Sequence, residues 1–256
     1  MEVGRRTGPR LGSPQVGSPQ VGSPQVDAPQ VDAPLVDARE LYRFFHAGDD
    51  ETFALRGVSV SVGAGELVAV VGPSGSGKST LLACLAGLDE PDGGYVVIAG
   101  QRITRRPEAA RAGLRARWIG MLLQSGNLVE HLSVAQNIEA ARALVPRAAG
   151  HGDRWGARRL LDDVGLAERA SARPSTLSGG EAARAALAVA MANDPPVLLA
   201  DEPTGEVDRL AEDLVLELLR ARADRGKAVL VVTHSDNVAS ACDRVVHMVD
   251  GRVTDE

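Results

Sequence analysis

The sequence is poor in lysine and cysteine and has no excess of positive charge. Only two of its 28 basic residues, Lys78 and Lys227, are lysines, and the formal net charge is −6 with an isoelectric point near 5.5. Nucleic-acid backbones select basic surfaces, so this balance argues against a protein whose main partner is a nucleic acid. Cys84 and Cys242 lie far apart without metal-ligand spacing, which favours small buried side chains in a reducing compartment.

Long hydrophobic runs are also missing. No apolar segment approaches the ~18 residues that cross a bilayer, and no hydrophobic segment of a secretory signal follows Arg5 and Arg6. We therefore expect a protein that stays in the cytoplasm. Its 256 residues, 44% hydrophobic and 24% charged, suffice for one substantial core or two closely packed subdomains.

A pentapeptide repeat occupies the sequence from Gly12 to Val36: GSPQV three times, then DAPQV and DAPLV. A five-residue period fits neither a helix nor a strand, and proline at every fifth position interrupts the hydrogen bonding of both. We predict that residues 1–35 form a disordered, Pro-rich tail. A tether or docking ligand is one interpretation of this tail, and an expanded repeat with little role is the favoured one.

The rest of the chain predicts alternating strands and helices. The stretches FALRGVSVSV and GELVAVVG have the pattern of strands, as do YVVIAG, VLLADEP and AVLVVTH, and the last two flank a helical segment. The region from about 126 to 193 is mostly helical in pattern, and RVVHMVDG with RVTDE predicts a terminal hairpin. Alternation of this kind favours an α/β fold with a mainly parallel sheet.

A glycine-rich loop, GPSGSGKST, lies between a predicted strand and a predicted helix, which is the context that a phosphate-binding P-loop requires. Its backbone N–H groups can surround phosphates, Lys78 can reach the β- and γ-phosphates, and the Ser79 hydroxyl can bind Mg²⁺. The candidate ATP-binding residues of this loop are Gly72, Ser74, Gly75, Ser76, Gly77, Lys78, Ser79 and Thr80.

Two further strands end in chemically active side chains. VLLADEP ends in Asp201 and Glu202, and VLVVTHS ends in His234. Neighbouring strand residues point to opposite faces, so the two carboxylates should differ in role: Asp201 suits a Mg²⁺ shell and Glu202 suits an attacking water. The carboxyl ends of parallel strands meet at one edge of a sheet, so we expect these groups near the P-loop.

The segment TLSGGEAARAALAVAMAN predicts a helix with two glycines in its first turn. Ser178 and Glu181 have the spacing of a capping box. Gly179 and Gly180 weaken the helix, at about 0.8–1 kcal/mol each in a helix interior. Because a helix N-terminus attracts anions and glycine admits them closely, we predict a phosphate ligand here.

These motifs, together with Gln124 in IGMLLQ and the run LLADEPTGEVD, resemble the nucleotide-binding subunit of ABC transporters. The resemblance covers about residues 36–256. LAGLDEPDGG and ADEPTG favour the branch of lipoprotein-releasing, macrolide-efflux and cell-division ATPases. It implies a P-loop ATPase core with a mainly parallel sheet, an antiparallel β subdomain and a helical subdomain at about 126–193.

The resemblance also implies an assembly. Two copies would meet head to tail on Mg-ATP and drive a separate transmembrane permease, which would place the chain peripherally at the inner face of the membrane. Glu202 and His234 would be catalytic, and Mg²⁺ would be bound by Ser79, Gln124 and Asp201. Phe45 would stack on adenine, and the residues acting on the partner's ATP would be Ser178, Gly179, Gly180 and Asp208.

Some features depart from the family pattern or leave alternatives open. Ala182 and Ala183 replace the two glutamines that commonly follow LSGGE, which puts polar contacts of that helix in doubt. A regulatory ATPase of a cell-division or cell-wall complex, which transports nothing, would have the same motifs. A small-substrate P-loop kinase would leave the SGG segment and Gln124 without purpose. For the permease we expect a groove at Leu128, Val129 and Leu132, although ordinary packing would also explain these apolar residues.

Overall fold

The computed structural model describes residues 33–47, 50–145, 156–205 and 207–255, together with Met1 and Gly4. Contacts divide the chain into residues 1–30 and residues 31–256, and every helix and strand given below belongs to the second unit. The predicted tail, residues 1–35, lies almost entirely outside the described residues.

The larger sheet has six strands in the order β10-β9-β3-β8-β7-β6. All pairs are parallel except the terminal hairpin of β9 and β10, which is antiparallel as its sequence predicts. The strands are β3 (Leu67–Val71), β6 (Ile119–Leu122), β7 (Val197–Asp201), β8 (Ala228–Val232), β9 (Arg244–Val249) and β10 (Arg252–Asp255). The central strands are continuous apolar runs because both faces of a parallel sheet are covered.

The smaller sheet has four antiparallel strands in the order β2-β1-β4-β5. They are β1 (Val36–Ala47), β2 (Asp50–Val62), β4 (Gly93–Ile98) and β5 (Gln101–Arg102). In β2 the alternate residues Val58, Val60 and Val62 are buried, as expected for a sheet with one face on the core. The predicted α/β fold with an antiparallel β part is confirmed.

Seven α-helices complete the described fold. They are α1 (Lys78–Leu85), α2 (Glu108–Trp118), α3 (Val134–Ala143), α4 (Ala157–Asp163), α5 (Gly179–Ala190), α6 (Arg209–Asp224) and α7 (Asp236–Ser240). Short 3-10 turns at Ala167–Arg169 and Pro174–Thr176 connect α4 to α5. The described parts of residues 126–193 contain helices and connecting loops but no strand, while their separation as a subdomain stays a prediction. No helix among the described residues is both long and apolar enough to cross a membrane.

The parallel strands divide their side chains between two apolar cores. Val197 and Leu199 of β7 join a first core with α1 and the smaller sheet, whereas Leu198 and Ala200 join a second core with α3 to α6. Successive side chains of a strand point to opposite faces of the sheet, so alternate residues of β7 pack in different cores. The sheet is therefore packed on both faces. The loops that follow the carboxyl ends of its parallel strands lie together at one edge.

Candidate nucleotide-binding site

The glycine-rich loop between β3 and α1 needs glycine because neighbouring backbone approaches it closely. Gly77 precedes α1 with φ 100°, and a Cβ there would lie 2.3 Å from the Ala54 carbonyl oxygen. A Cβ at Gly72, where φ is 156°, would lie 2.1 Å from the Met248 carbonyl oxygen. Both distances are much shorter than a van der Waals contact, so β2 and β9 leave no room for a side chain at these two positions.

Lys78 lies at the start of α1 and points back into this loop. Its ammonium group donates to the carbonyl oxygens of Gly72 and Pro73 at 2.8 and 2.9 Å. The buried Ser76 hydroxyl has no hydrogen-bond partner among the described residues, while Ser74 and Gly75 are exposed. The loop thus presents exposed backbone around a cation, as a phosphate ligand requires.

Asp201, the last residue of β7, lies beside the P-loop. Burial and then the neighbouring Glu202 carboxylate raise the pKa of Asp201, whereas a hydrogen bond with the Ser79 side chain and the Lys78 charge lower it. The structure therefore places the predicted Mg²⁺ ligands Ser79 and Asp201 close enough for their side chains to interact. Thr80, the third residue of α1, is half-buried.

Glu202 follows in the left-handed region, with φ 47°, and its N–H donates to the Val232 carbonyl oxygen at 2.9 Å. Its carboxylate turns towards the end of β8. His234 Nδ1 lies 2.9 Å from Glu202 Oε1, and the Thr233 hydroxyl donates to Oε2 at 3.3 Å. The Glu202 side chain is 15% exposed and that of His234 is 74% exposed.

The two carboxylates therefore have different surroundings, as their alternation in the sequence predicts. Glu202 is oriented by Thr233 and His234, and Asp201 by Ser79. Sequence analysis missed the completely buried Thr233. Its signal was a hydroxyl at the end of an otherwise apolar strand, immediately before the histidine. An oriented carboxylate beside an exposed imidazole is suited to positioning or deprotonating a water molecule.

The SGG segment forms the predicted capping box. The Ser178 hydroxyl accepts from the Glu181 N–H at 3.2 Å, and Glu181 accepts from the Ser178 N–H at 2.9 Å. The bond from Ser178 and then the one from Arg169 lower the pKa of Glu181. Gly180 has a second reason to be glycine, because a Cβ there would lie 2.6 Å from the Cβ of Ala211 on α6.

The candidate residues for ATP binding in trans lie together. Asp208 caps α6, where its carboxylate accepts from the Ala211 N–H at 2.9 Å. A groove of about 350 Å³ is lined by residues at the starts of α5 and α6. Its lining residues include Ser178, Gly179, Gly180, Arg184, Val207 and Asp208.

Phe45 and Gln124 lie outside these clusters. Phe45, on β1, is 42% exposed, and the Arg43 guanidinium carbon lies 4.6 Å from the centre of its ring. Arg43 is held in turn by the Asp89 carboxylate at 2.8 Å, an aromatic–cation arrangement that sequence analysis missed. Gln124 is exposed in the loop after β6, the strand that pairs with β7 and so neighbours Asp201.

Comparison with known proteins identifies the family. The family model described as "ABC transporter" matches residues 55–205. An uncharacterized ABC transporter ATP-binding protein, YbbA of Escherichia coli K12, is 43% identical over 82% of this chain and 92% of its own length. The lipoprotein-releasing system ATP-binding protein LolD 1 of Caulobacter vibrioides is 39% identical, with 85% and 93% covered. Macrolide export ATP-binding/permease protein MacB 1 of Yersinia pestis is 39% identical over 82% of this chain, which matches 32% of that longer protein.

Solved structures give the same result. The dimeric structure of the bacterial ABC transporter cassette MJ0796 has a TM-score of 0.78 and 34% identity, covering 86% of this chain and 97% of that one. A post-hydrolysis dimer of the same cassette, bound to ADP and Pi, has a TM-score of 0.77 with the same identity and coverage. The predicted branch, with lipoprotein-releasing and macrolide-export relatives, is confirmed. The chain belongs to the ABC transporter family, as an ATP-hydrolysing nucleotide-binding subunit.

Proposed function

We propose that Mg-ATP joins two copies of this chain head to tail, and that hydrolysis separates them to drive a distinct transmembrane permease. The observation that carries the catalytic part is the convergence of three strand ends on one edge of the sheet. There Lys78 lies in the P-loop, Asp201 lies beside Ser79, and Glu202 contacts His234.

The residues present fit Mg²⁺. The Ser79 hydroxyl and the Asp201 carboxylate lie close enough to interact, and hard oxygen donors of this kind are what Mg²⁺ binds, usually alongside phosphate oxygens. Burial disfavours the charged form of Asp201, so a nearby cation would remove that penalty. Ser79 and Asp201 would hold the ion, with Gln124 completing the set. When bound, Mg²⁺ would neutralise charge developing on the phosphates.

The protein's own groups supply the rest of the reaction. Lys78 and the backbone N–H groups of the loop stabilise negative charge on the phosphates. Glu202 orients the attacking water or accepts its proton, and His234, whose side chain is mostly exposed, positions that water against the γ-phosphate. Thr233 keeps the Glu202 carboxylate turned towards His234 through its hydrogen bond.

Dimerisation explains why Ser178, Gly179, Gly180 and Asp208 lie around a separate groove. The N-terminus of α5 offers backbone N–H groups to an anion, and in our proposal that anion is the γ-phosphate on the other copy's P-loop. The dimeric form of the similar cassette MJ0796 supports this arrangement. Phe45, exposed on β1, would stack on adenine beside Arg43.

A separate permease is proposed because the relatives YbbA and LolD 1, which are ATP-binding proteins, match this chain over 92% and 93% of their own length, and because a longer relative combines ATP-binding and permease functions. The subunit would then lie peripherally at the cytoplasmic face of the membrane. A regulatory ATPase of a cell-division or cell-wall complex is the alternative, and the identity of the co-purifying membrane protein distinguishes the two.

Replacement of Glu202 by Gln tests the catalytic assignment. It preserves shape and removes the acceptor for the water proton, so we expect retained ATP binding, turnover reduced at least ~100-fold, and an ATP-dependent dimer on size-exclusion chromatography. Glu217→Gln on the exposed face of α6 is the matched control, and its ATP binding, turnover and elution should equal those of the wild-type protein. Turnover near the wild-type rate in Glu202→Gln would refute the role of Glu202.

The permease contact is tested at the loop after β6. Leu128 is half-buried and packs on the second core, so its replacement would disturb folding; Val129 is 45% exposed. The buried Asn137 side chain accepts from the Val129 N–H at 2.7 Å, which fixes the backbone independently of the valine side chain. We expect Val129→Asp to retain ATP binding but lose co-purification with the membrane protein. Val249→Asp, at a valine of similar exposure on β9, should retain both. Co-purification of the Val129 variant would place the contact elsewhere.

A further inference from the structure

A hydrogen-bonded connection joins the first turn of α6 to the segment that carries His234. The Ser235 hydroxyl donates to Glu212 Oε1 at 2.8 Å. Ser235 also caps α7, since its Oγ accepts from the Val238 N–H at 3.4 Å. A hydroxyl has one donor and two acceptor positions, so it can make both bonds together. Ser235, the residue after His234, is thereby hydrogen-bonded to α6.

The connection continues to the catalytic carboxylate. The Ser235 N–H donates to Thr233 Oγ1 at 3.0 Å, and the Thr233 hydroxyl donates to Glu202 Oε2 at 3.3 Å. The His234 N–H lies 3.4 Å from the same Oε2 atom. His234 is thus flanked by two side chains that anchor its backbone.

This anchoring matters because the His234 imidazole has little packing of its own. Its side chain is 74% exposed, and the only described polar contact of its ring is with Glu202. The position of the ring therefore depends on the backbone of residues 233–235. The Ser235–Glu212 bond holds the C-terminal end of this segment through the Ser235 side chain.

At its other end, Glu212 belongs to the turn that faces the proposed dimer contacts. The Glu212 N–H donates to the Asp208 carbonyl oxygen at 2.9 Å. Ala211, one residue earlier, is the neighbour against which Gly180 of α5 packs. The start of α6 thus touches the SGG helix, Asp208 and, through Glu212, the histidine segment.

We propose that Glu212 and Ser235 are positioning residues that couple the start of α6 to the orientation of His234. This rests on the proposed function, in which His234 aligns the attacking water and Asp208 faces the second copy. Displacement of α6 at the dimer contact is transmitted through one hydrogen bond to the catalytic histidine. ATP binding does not depend on it, because neither residue contacts the P-loop in the described structure.

The test uses Glu212→Ala and Ser235→Ala, each of which removes the hydrogen bond, and the double variant of the full chain, with steady-state ATP turnover. We expect each single variant to lower kcat about 10-fold, equivalent to ~1.4 kcal/mol, with KM for ATP changed less than about 2-fold. The double variant should lose little more than either single variant, as expected for two partners in one interaction. Asp213→Ala, at the exposed next position of α6, is the matched control and should keep wild-type kcat.

Ser235→Thr retains the hydroxyl and should recover most of kcat, whereas a purely structural effect would lower the melting temperature in parallel with kcat. Unchanged kcat in both single variants, multiplicative losses in the double variant, or an effect confined to KM would overturn the proposal. His234→Ala separates it from the proposed function: wild-type turnover in that variant contradicts a role for His234. If His234→Ala is impaired and Glu212→Ala lowers kcat another 10-fold in that background, the coupling to His234 is refuted.

Discussion

Gly180 offers a sharp test because two physical reasons for a glycine coincide there. A methyl group at this position would lie 2.6 Å from the Cβ of Ala211, whereas carbon atoms in contact ordinarily keep about 3.5–4 Å. Both atoms are fixed to helix backbones and cannot rotate away. Gly180→Ala therefore has to push α5 and α6 apart by roughly 1 Å, at the groove where Asp208 lies.

The expected magnitude is the difference of two terms. Overpacking costs about 1–3 kcal/mol, while alanine gains up to about 1 kcal/mol over glycine in a helix, and less in the first turn. With a gain of about 0.5 kcal/mol in the first turn, the net destabilisation should be roughly 0.5–2.5 kcal/mol. For a domain of 150–250 residues this lowers the melting temperature by a few degrees, at about 2–4 °C per kcal/mol.

Ala211→Gly in the Gly180→Ala background removes the clash and supplies the control. In thermal unfolding, Ala211→Gly should restore most of the stability that Gly180→Ala loses, after the cost of placing a glycine in α6 is subtracted. ATP turnover should stay low if Gly180 also has to admit the phosphate of the other copy. Wild-type stability in Gly180→Ala would refute the packing argument, and full recovery of turnover in the double variant would refute the phosphate argument.

Two other predictions concern the P-loop edge of the sheet. Lys78→Ala removes a charge-assisted contact to phosphate and should weaken ATP binding itself; unchanged affinity by calorimetry would contradict this. Burial and then the Glu202 carboxylate raise the folded-state pKa of Asp201 above its ordinary value. The protonated carboxyl therefore stabilises the folded state at pH values below the unfolded-state pKa. This contribution is lost as the pH rises through the folded-state pKa. Asp201→Asn should therefore raise the melting temperature without nucleotide at pH 7, show no such gain below about pH 4, and abolish Mg²⁺-dependent turnover. A lower melting temperature at pH 7 would refute the burial penalty.

Much of the site follows from short-range rules that the sequence displays directly. The glycine-rich loop between a strand and a helix, the capping box of Ser178 and Glu181, and the acidic pair after β7 each depend on residues within a few positions. The alternation of strand side chains also predicts that Asp201 and Glu202 differ in surroundings. Leu128 shows the limit, because an apolar residue in a loop has the same pattern whether it packs on a core or faces a partner.

The sequence by itself thus determined the α/β alternation and the identity of the chemical groups, because periodicity, capping and loop chemistry are local, and its motifs together carried the resemblance to the family. Tertiary structure alone decided that Gly180 packs on Ala211, that Thr233 orients Glu202, and that Ser235 reaches Glu212. These partners are separated by 23 to 31 positions. Such contacts depend on how strands and helices pack across two cores, and no local pattern in the chain encodes which of its many alanines, serines and acids will meet.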